Sequence, residues 1–326
     1  MAPLDGNADD TAAIQSALNG NPSTVYFPRG QYRITRPIAL AAGPDWTQID
    51  CIGDRGTKVF GNFDGYLVDS PVWNGDIPSH VTFEKIDMVN GSSSRNAGCV
   101  RISGALGSGV ENCYLEAWRP ITFNRVMDAA VRYCMFRSAG GAFETAGITE
   151  KASIAIFCDT NNGVIEDCDI QGYYDGIRVK QGISIRDSRV EMCYRGIVVG
   201  VNQDGNDYPG GGRHRGHGME ANTFHIILNY APFGTIIGGC GMLGDPFSPL
   251  SDRPGQAGIL INNVGQLVME SVSVDGQFQD AAIKLSAPPV PPPGRTILMA
   301  VRAELDVDPA YHAAYPPQRP GRVWSF

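Results

Sequence analysis

Six short segments of this chain repeat one pattern, and that repeat constrains the fold more than any other feature. Residues 83–88, 110–115, 131–136, 165–170, 185–190 and 269–274 each carry apolar or small side chains at positions one, four and six, with mostly polar residues between. The fourth column reads Ile86, Cys113, Cys134, Cys168, Ser188 and Val272, and from Ile86 to Ser188 its members recur every 20 to 34 residues. Short strand-like units at such a period mark a solenoid, in which each unit buries its apolar side only by stacking on its neighbours.

A second apolar pair follows each row: Val100/Ile102, Ile121/Phe123, Ile154/Ile156, Ile177/Val179, Ile197/Val199 and Ile283/Leu285. The step from this pair to the next row stays nearly constant, 13 residues for both Val100 to Cys113 and Ile121 to Cys134. The step from a row to its own pair varies, from 8 residues (Cys113 to Ile121) to 20 (Cys134 to Ile154). Insertions therefore collect at one corner of the coil, and insertions on one face of a solenoid commonly build a binding surface.

Composition narrows the function classes. A net charge of −8 argues against nucleic acid as the main partner. No run of 18 apolar residues is present, so no membrane span is expected, and no basic-then-apolar leader is visible. Forty glycines suit a fold that needs a turn at positive φ in every coil. Of the eight cysteines, Cys113, Cys134 and Cys168 share one inward column, and their spacing fits no zinc pattern, so free structural thiols are expected.

Near the N-terminus, Asp9-Asp10-Thr11 precedes Ala12 to Leu18, so Asp10 or Thr11 is placed to cap a short helix with Ile14 and Leu18 on one face. Such a helix plugs the open end of a solenoid. Three regions follow: an N-terminal cap over 1–45, a coil body over 46–286 and a Pro-rich cap or oligomerisation segment over 287–326. Within the body, the Gly-rich stretch 203–218 has no periodicity and reads as a loop.

The run Asp5-Gly6-Asn7-Ala8-Asp9-Asp10-Thr11-Ala12-Ala13-Ile14-Gln15, followed by Val25-Tyr26-Phe27-Pro28 and then Gly30 and Tyr32, resembles the N-terminal signature of the pectate-lyase-like superfamily. That signature also occurs in glycoside-hydrolase-28-related enzymes and phage tailspikes. The resemblance implies an all-β, single-stranded right-handed parallel β-helix solenoid with a short capping helix. It also implies a carbohydrate ligand, while leaving the chemistry open among lyase, hydrolase, epimerase and pure binder. The strand that normally leads into the motif is cut down here to four residues. Lyases of this superfamily usually use calcium or a basic residue, so calcium is the one cofactor to consider.

Stacked coils make outward residues of neighbouring rows close neighbours. Asp167 then stacks on Asp187, and Asp169 on Arg189, giving a candidate carboxylate set for glycoside cleavage. The alternative is a solvated face on which Arg186 and Arg189 pair with these acids. Five cations over residues 178–195, Arg178, Arg189 and Arg195 among them, give a local excess suited to an acidic sugar. Trp118, Tyr174 and Tyr194 share a register just ahead of the second pair, as a pyranose platform or as a core ladder. Asp175 and Arg195 would then stand beside them for hydroxyl contacts. His214 and His217 lie in the Gly-rich stretch, where His214 is a candidate proton shuttle or sugar contact.

The reading these features favour is a phage tailspike-type receptor-binding protein or depolymerase acting on a bacterial surface polysaccharide. It predicts a homotrimer with virion tail partners, located on the virion or outside the cell. Two alternatives stay open: a secreted polysaccharide lyase or glycoside hydrolase, and a non-catalytic spike or adhesin.

Overall fold

The computed structural model describes residues 5–20, 23–40, 48–70, 80–139, 150–180, 183–202, 204, 212–220, 222, 224–229, 235–244, 257–262, 267–276, 281–285 and 301–303. These residues form a parallel β-helix. Among the described residues one sheet has 19 strands and the other 10, and the strand pairings within both are parallel.

Each coil crosses the longer sheet as two short strands, or one long bent strand, then turns a corner and crosses the shorter sheet. The first inward column runs Cys51, Phe83, Val110, Val131, Ile165, Ile185, His214, Ile237 and Met269, each in register with the next. Another runs Met88, Leu115, Phe136, Ile170, Val190, Met219 and Met242. The described members of both columns are buried. On the shorter sheet the inward pairs form a continuous stack that closes the core.

Cys113, Cys134 and Cys168 sit in adjacent layers: the Met135 amide donates to the Cys113 carbonyl and the Asp169 amide to the Cys134 carbonyl, each at 2.9 Å. All eight cysteines are buried and free, and burial pushes the Cys168 thiol up to about 12. The thiols thus act as small apolar core groups.

In seven successive coils of the longer sheet, one residue at the bend between the strand segments lies in the left-handed region. This column reads Lys85, Asn112, Tyr133, Asp167, Asp187, Gly216 and Gly239, with φ between 51° and 69°. A side chain there costs about 1–2 kcal/mol. The fold offsets that cost by tying each turn to the next: Asp187 donates its amide to the Arg215 carbonyl at 2.9 Å, and Gly216 to the Gly238 carbonyl at 3.0 Å.

This turn column exposes coils that the sequence pattern missed. Gly212–Arg215 and Gly218–Glu220 are strands, not loop, and they pair with Ile183–Arg186 and Arg189–Glu191. Thr235–Gly238 and Gly241–Gly244 form the next coil. Of the stretch expected to be a loop, 203 and 205–211 lie outside the described residues, as does nearly all of 287–326.

At the N-terminus the helix Thr11–Asn19 buries Thr11, Ile14 and Leu18. Asp10 takes the capping position, but its carboxylate accepts the Arg33 amide at 3.0 Å; Asp9 accepts the Thr11 amide at 3.0 Å instead. Hydrogen bonds from Thr11 and Thr35 hold the Asp9 carboxyl down at about 2. Gln15 clamps the helix to the shorter sheet, donating to the Ala39 carbonyl and accepting its amide, both at 2.8 Å. No helix is long and apolar enough to cross a membrane among the described residues.

Candidate functional site

The residues singled out from the sequence fall on two faces. Asp167 and Asp187 occupy the exposed left-handed turn on adjacent coils of the longer sheet. Asp169 starts the following strand, in register between Met135 and Arg189. Trp118, Tyr174, Asp175, Arg178, Tyr194 and Arg195 lie past the next corner, at or on the shorter sheet. The predicted site is therefore two sites.

The second of these is closed. Asp175 is fully buried, and its carboxylate is shared between two guanidiniums. Arg178 Nε approaches Asp175 Oδ2 at 2.5 Å; Arg195 Nε reaches Oδ1 at 2.5 Å and Arg195 Nη2 reaches Oδ2 at 2.8 Å. Burial pulls the Arg178 pKa below its usual value, ahead of the opposing pull of Asp175. In Arg195 burial also lowers the pKa, but the charge and hydrogen bonds of Asp175 outweigh it and the net shift is upward. Asp175 is thus spent on neutralising buried arginine, not on free hydroxyl contacts.

The aromatics beside it share a register, as expected, with one interruption. Trp118, Ser153, Tyr174 and Tyr194 form a single column, each carbonyl accepting from the amide that opens the next coil's strand. Tyr174 and Tyr194 stack at 4.7 Å and 30°, and Tyr194 meets Phe224 edge-on at 5.8 Å. The Arg195 guanidinium lies 4.9 Å from the Tyr174 ring centre. Trp118 is buried under Arg95, 4.0 Å from its ring centre. A buried Ser153 therefore separates Trp118 from the tyrosine pair, and the three rings form no continuous open platform.

His214 is corrected more sharply. It occupies the first inward column between Ile185 and Ile237 and is fully buried. His217 fills the cysteine column one turn later, with the two ring centres 6.4 Å apart. Burial holds His214 down at about 3 and His217 at about 4. Neither touches solvent chemistry; alternation on a strand, unrecognised at Gly212–Arg215, turned both rings inward.

The first site is open, and it contains residues that the repeat pattern had not singled out. Tyr133, 53% exposed, holds the turn position of the coil before Asp167. Met135, 42% exposed, stands beside Tyr114 in register and beside Asp169 on the other side. Arg137 approaches both Asp169 oxygens at 3.4 Å. Arg186 pairs with Glu166 at 2.8 Å, and Arg189 pairs with Glu191, whose carboxylate also accepts from Gln171 at 3.0 Å. The missed signal was the turn column itself: any large side chain between the two strands must project outward, and Tyr133 is the aromatic member. Among the described residues no group of three or more His, Cys, Asp or Glu side chains could hold a metal ion.

Residues 2–66 match the family model described as rhamnogalacturonase A/epimerase, pectate lyase-like. No curated relative matches this sequence. Among solved structures, the surface adhesin PfbA of Streptococcus pneumoniae aligns over 88% of this chain and 91% of its own, with a TM-score of 0.55 at 11% identity. The mannuronan C-5 epimerase A-module of Azotobacter vinelandii aligns over 97% and 95%, at 0.55 and 14%. A tailspike double mutant of E. coli bacteriophage HK620, solved with a pentasaccharide, aligns over 92% of this chain but only 62% of its own, at 0.57 and 10%. The fold of this chain is thus a right-handed parallel β-helix, and residues 2–66 match the rhamnogalacturonase A/epimerase, pectate lyase-like model.

Proposed function

We propose that this protein binds a polysaccharide along the outer face of its longer sheet, as a tailspike-type receptor-binding protein of a virion or extracellular surface. The observation that carries this reading is the exposed Tyr133 ring, with Met135 two residues on in register with Tyr114, and with Asp167, Asp169 and Asp187 on the next coils. An open aromatic face beside fixed carboxylates and guanidiniums suits a sugar, whose ring has an apolar face and a rim of hydroxyls. The likeness to a tailspike solved with a pentasaccharide and the match of residues 2–66 to the rhamnogalacturonase A/epimerase model support the ligand class.

Cleavage is the second reading, and it rests on Asp167 and Asp187. They share one turn position on adjacent coils, about 4.8 Å apart along the axis by strand spacing. The Asp187 carboxylate, however, turns over Gly216, toward the following coil. That lean weakens the case for a close retaining pair and favours binding.

The test is a binding screen over bacterial surface polysaccharides, followed by reducing-sugar and unsaturated-uronate assays on every glycan bound. Tyr133→Ala is expected to weaken binding about tenfold while leaving the melting temperature unchanged. Unchanged affinity in that variant overturns the placement of the glycan. A reducing-sugar or uronate signal abolished by Asp167→Asn or Asp187→Asn assigns a cleaving role. A trimer is part of the tailspike reading, and light scattering tests it.

A further inference from the structure

The strand Gly212–Arg215 sends its histidine and its arginines to opposite faces. His214 enters the core, while Arg213 and Arg215 both stand in solvent, two residues apart. Their surroundings set them apart from the other cations of this sheet.

Glu84, Glu111, Arg132, Glu166, Arg186 and Arg215 are successive register neighbours along one outward column. Each cation before Arg215 has its carboxylate: Arg132 lies 2.8 Å from Glu111 and 3.4 Å from Glu166, and Arg186 lies 2.8 Å from Glu166. Arg215 is followed by Gly238. Among the described residues, neither the Arg213 nor the Arg215 side chain makes a hydrogen bond or an ion pair. Among the described residues, two guanidiniums on one strand thus stand without a carboxylate partner.

The surface around them is also bare. Gly216 and Gly239 hold the turn positions, and Gly218 and Gly241 are register neighbours on the next strand. A β-carbon on Gly218 would meet nothing within 4 Å. Asp187, over Gly216, is the nearest described carboxylate to this strip. Glu166, Asp167 and Asp169 stand on one coil, and Arg213, Arg215 and Glu220 on a coil two layers on.

We infer that Arg213 and Arg215, above the strip of Gly216, Gly218 and Gly241, bind an anionic substituent of the glycan whose uncharged rings rest on Tyr133. This rests on the reading under Proposed function and names its substrate class: a polysaccharide carrying carboxylate or sulfate groups. A guanidinium fork fits either group through paired N–H donors, and the glycine strip lets a sugar approach the backbone closely. Tyr133 and Arg215 lie three coils apart, about 14 Å at the usual strand spacing, so a short oligosaccharide spans both.

The test compares polygalacturonate, a sulfated dextran and neutral dextran as probes, by calorimetry at low and moderate salt. Wild type is expected to bind at least one anionic probe about tenfold more tightly than neutral dextran, with salt weakening the difference. The double variant R213A/R215A is expected to abolish that preference. R29A/R55A, which removes two exposed charges towards the N-terminal end, is expected to keep it. Preference for the uronate over the sulfate, or the reverse, identifies the anion. Equal loss in both double variants means non-specific attraction and overturns the inference, as does equal binding of charged and neutral probes. Binding that survives R213A/R215A but falls with Tyr133→Ala overturns the inference alone; no binding to any polysaccharide overturns both.

Discussion

The carboxylate of Asp187 lies where a β-carbon of Gly216 would go. Gly216 sits at φ +69°, and a methyl group there would overlap Asp187 Oδ1. The glycine therefore serves the turn and the neighbouring carboxylate together. Gly216→Ala is expected to destabilise the fold by about 1–2 kcal/mol, through the left-handed backbone alone, and more if Asp187 cannot move aside. Denaturant titration checks this. A variant as stable as wild type removes the steric argument.

The buried histidines predict acid sensitivity. His214 and His225 are held down at about 3 and His217 at about 4, against an unfolded value near 6.5. The folded chain thus refuses protons that the unfolded chain takes up below that value. Their stabilising contribution is complete above about pH 6.5 and is lost as the pH falls towards 4. Between pH 7 and pH 5 the loss is about 2 kcal/mol per histidine, as an upper bound. In His214→Ile, matching its column neighbours Ile185 and Ile237, one histidine's share of this slope should vanish. Urea melts at the two pH values measure it, and an unchanged slope would contradict a neutral, buried His214.

Removing Asp175 should cost far more than removing a surface acid. Asp175→Ala leaves Arg178 and the mostly buried Arg195 without their shared counter-ion, a loss of about 3–5 kcal/mol. The double change D175A/R178M should recover part of it, because an apolar side chain replaces the stranded charge. Thermal melts of the pair decide whether Asp175 acts as a structural counter-ion.

The thiols should be silent in the native state. All eight are buried, and burial raises Cys51, Cys168 and Cys193 to about 12, far from the thiolate. Labelling with a thiol reagent should therefore track global unfolding, and reductant should not shift the melting temperature. Cys134→Ser should be tolerated within about 1 kcal/mol. Ser188 already occupies that column and donates to the Arg186 carbonyl at 3.0 Å.

The periodic rows, the inward cysteines and the capping helix were all legible in the sequence, because each rests on side chains that alternate between water and core at a fixed interval. The coil at 212–220 was not. His214 and His217 occupy two of its three inward positions, and glycine takes the turn, so Met219 is the one hydrophobic marker left although the register continues unbroken.

What the sequence determined alone was the stacking: which residues enter the coil and how the turns recur. The tertiary structure decided which outward residues remain available. Asp175 and Arg178 read as surface groups from their positions, and Trp118 as either platform or core, yet packing past the corner buried all three. Tyr133 passed as one more polar-side position, yet the left-handed turn lifted it into solvent. Strand alternation is a local property of the backbone, whereas exposure at a corner depends on what other coils lay across it.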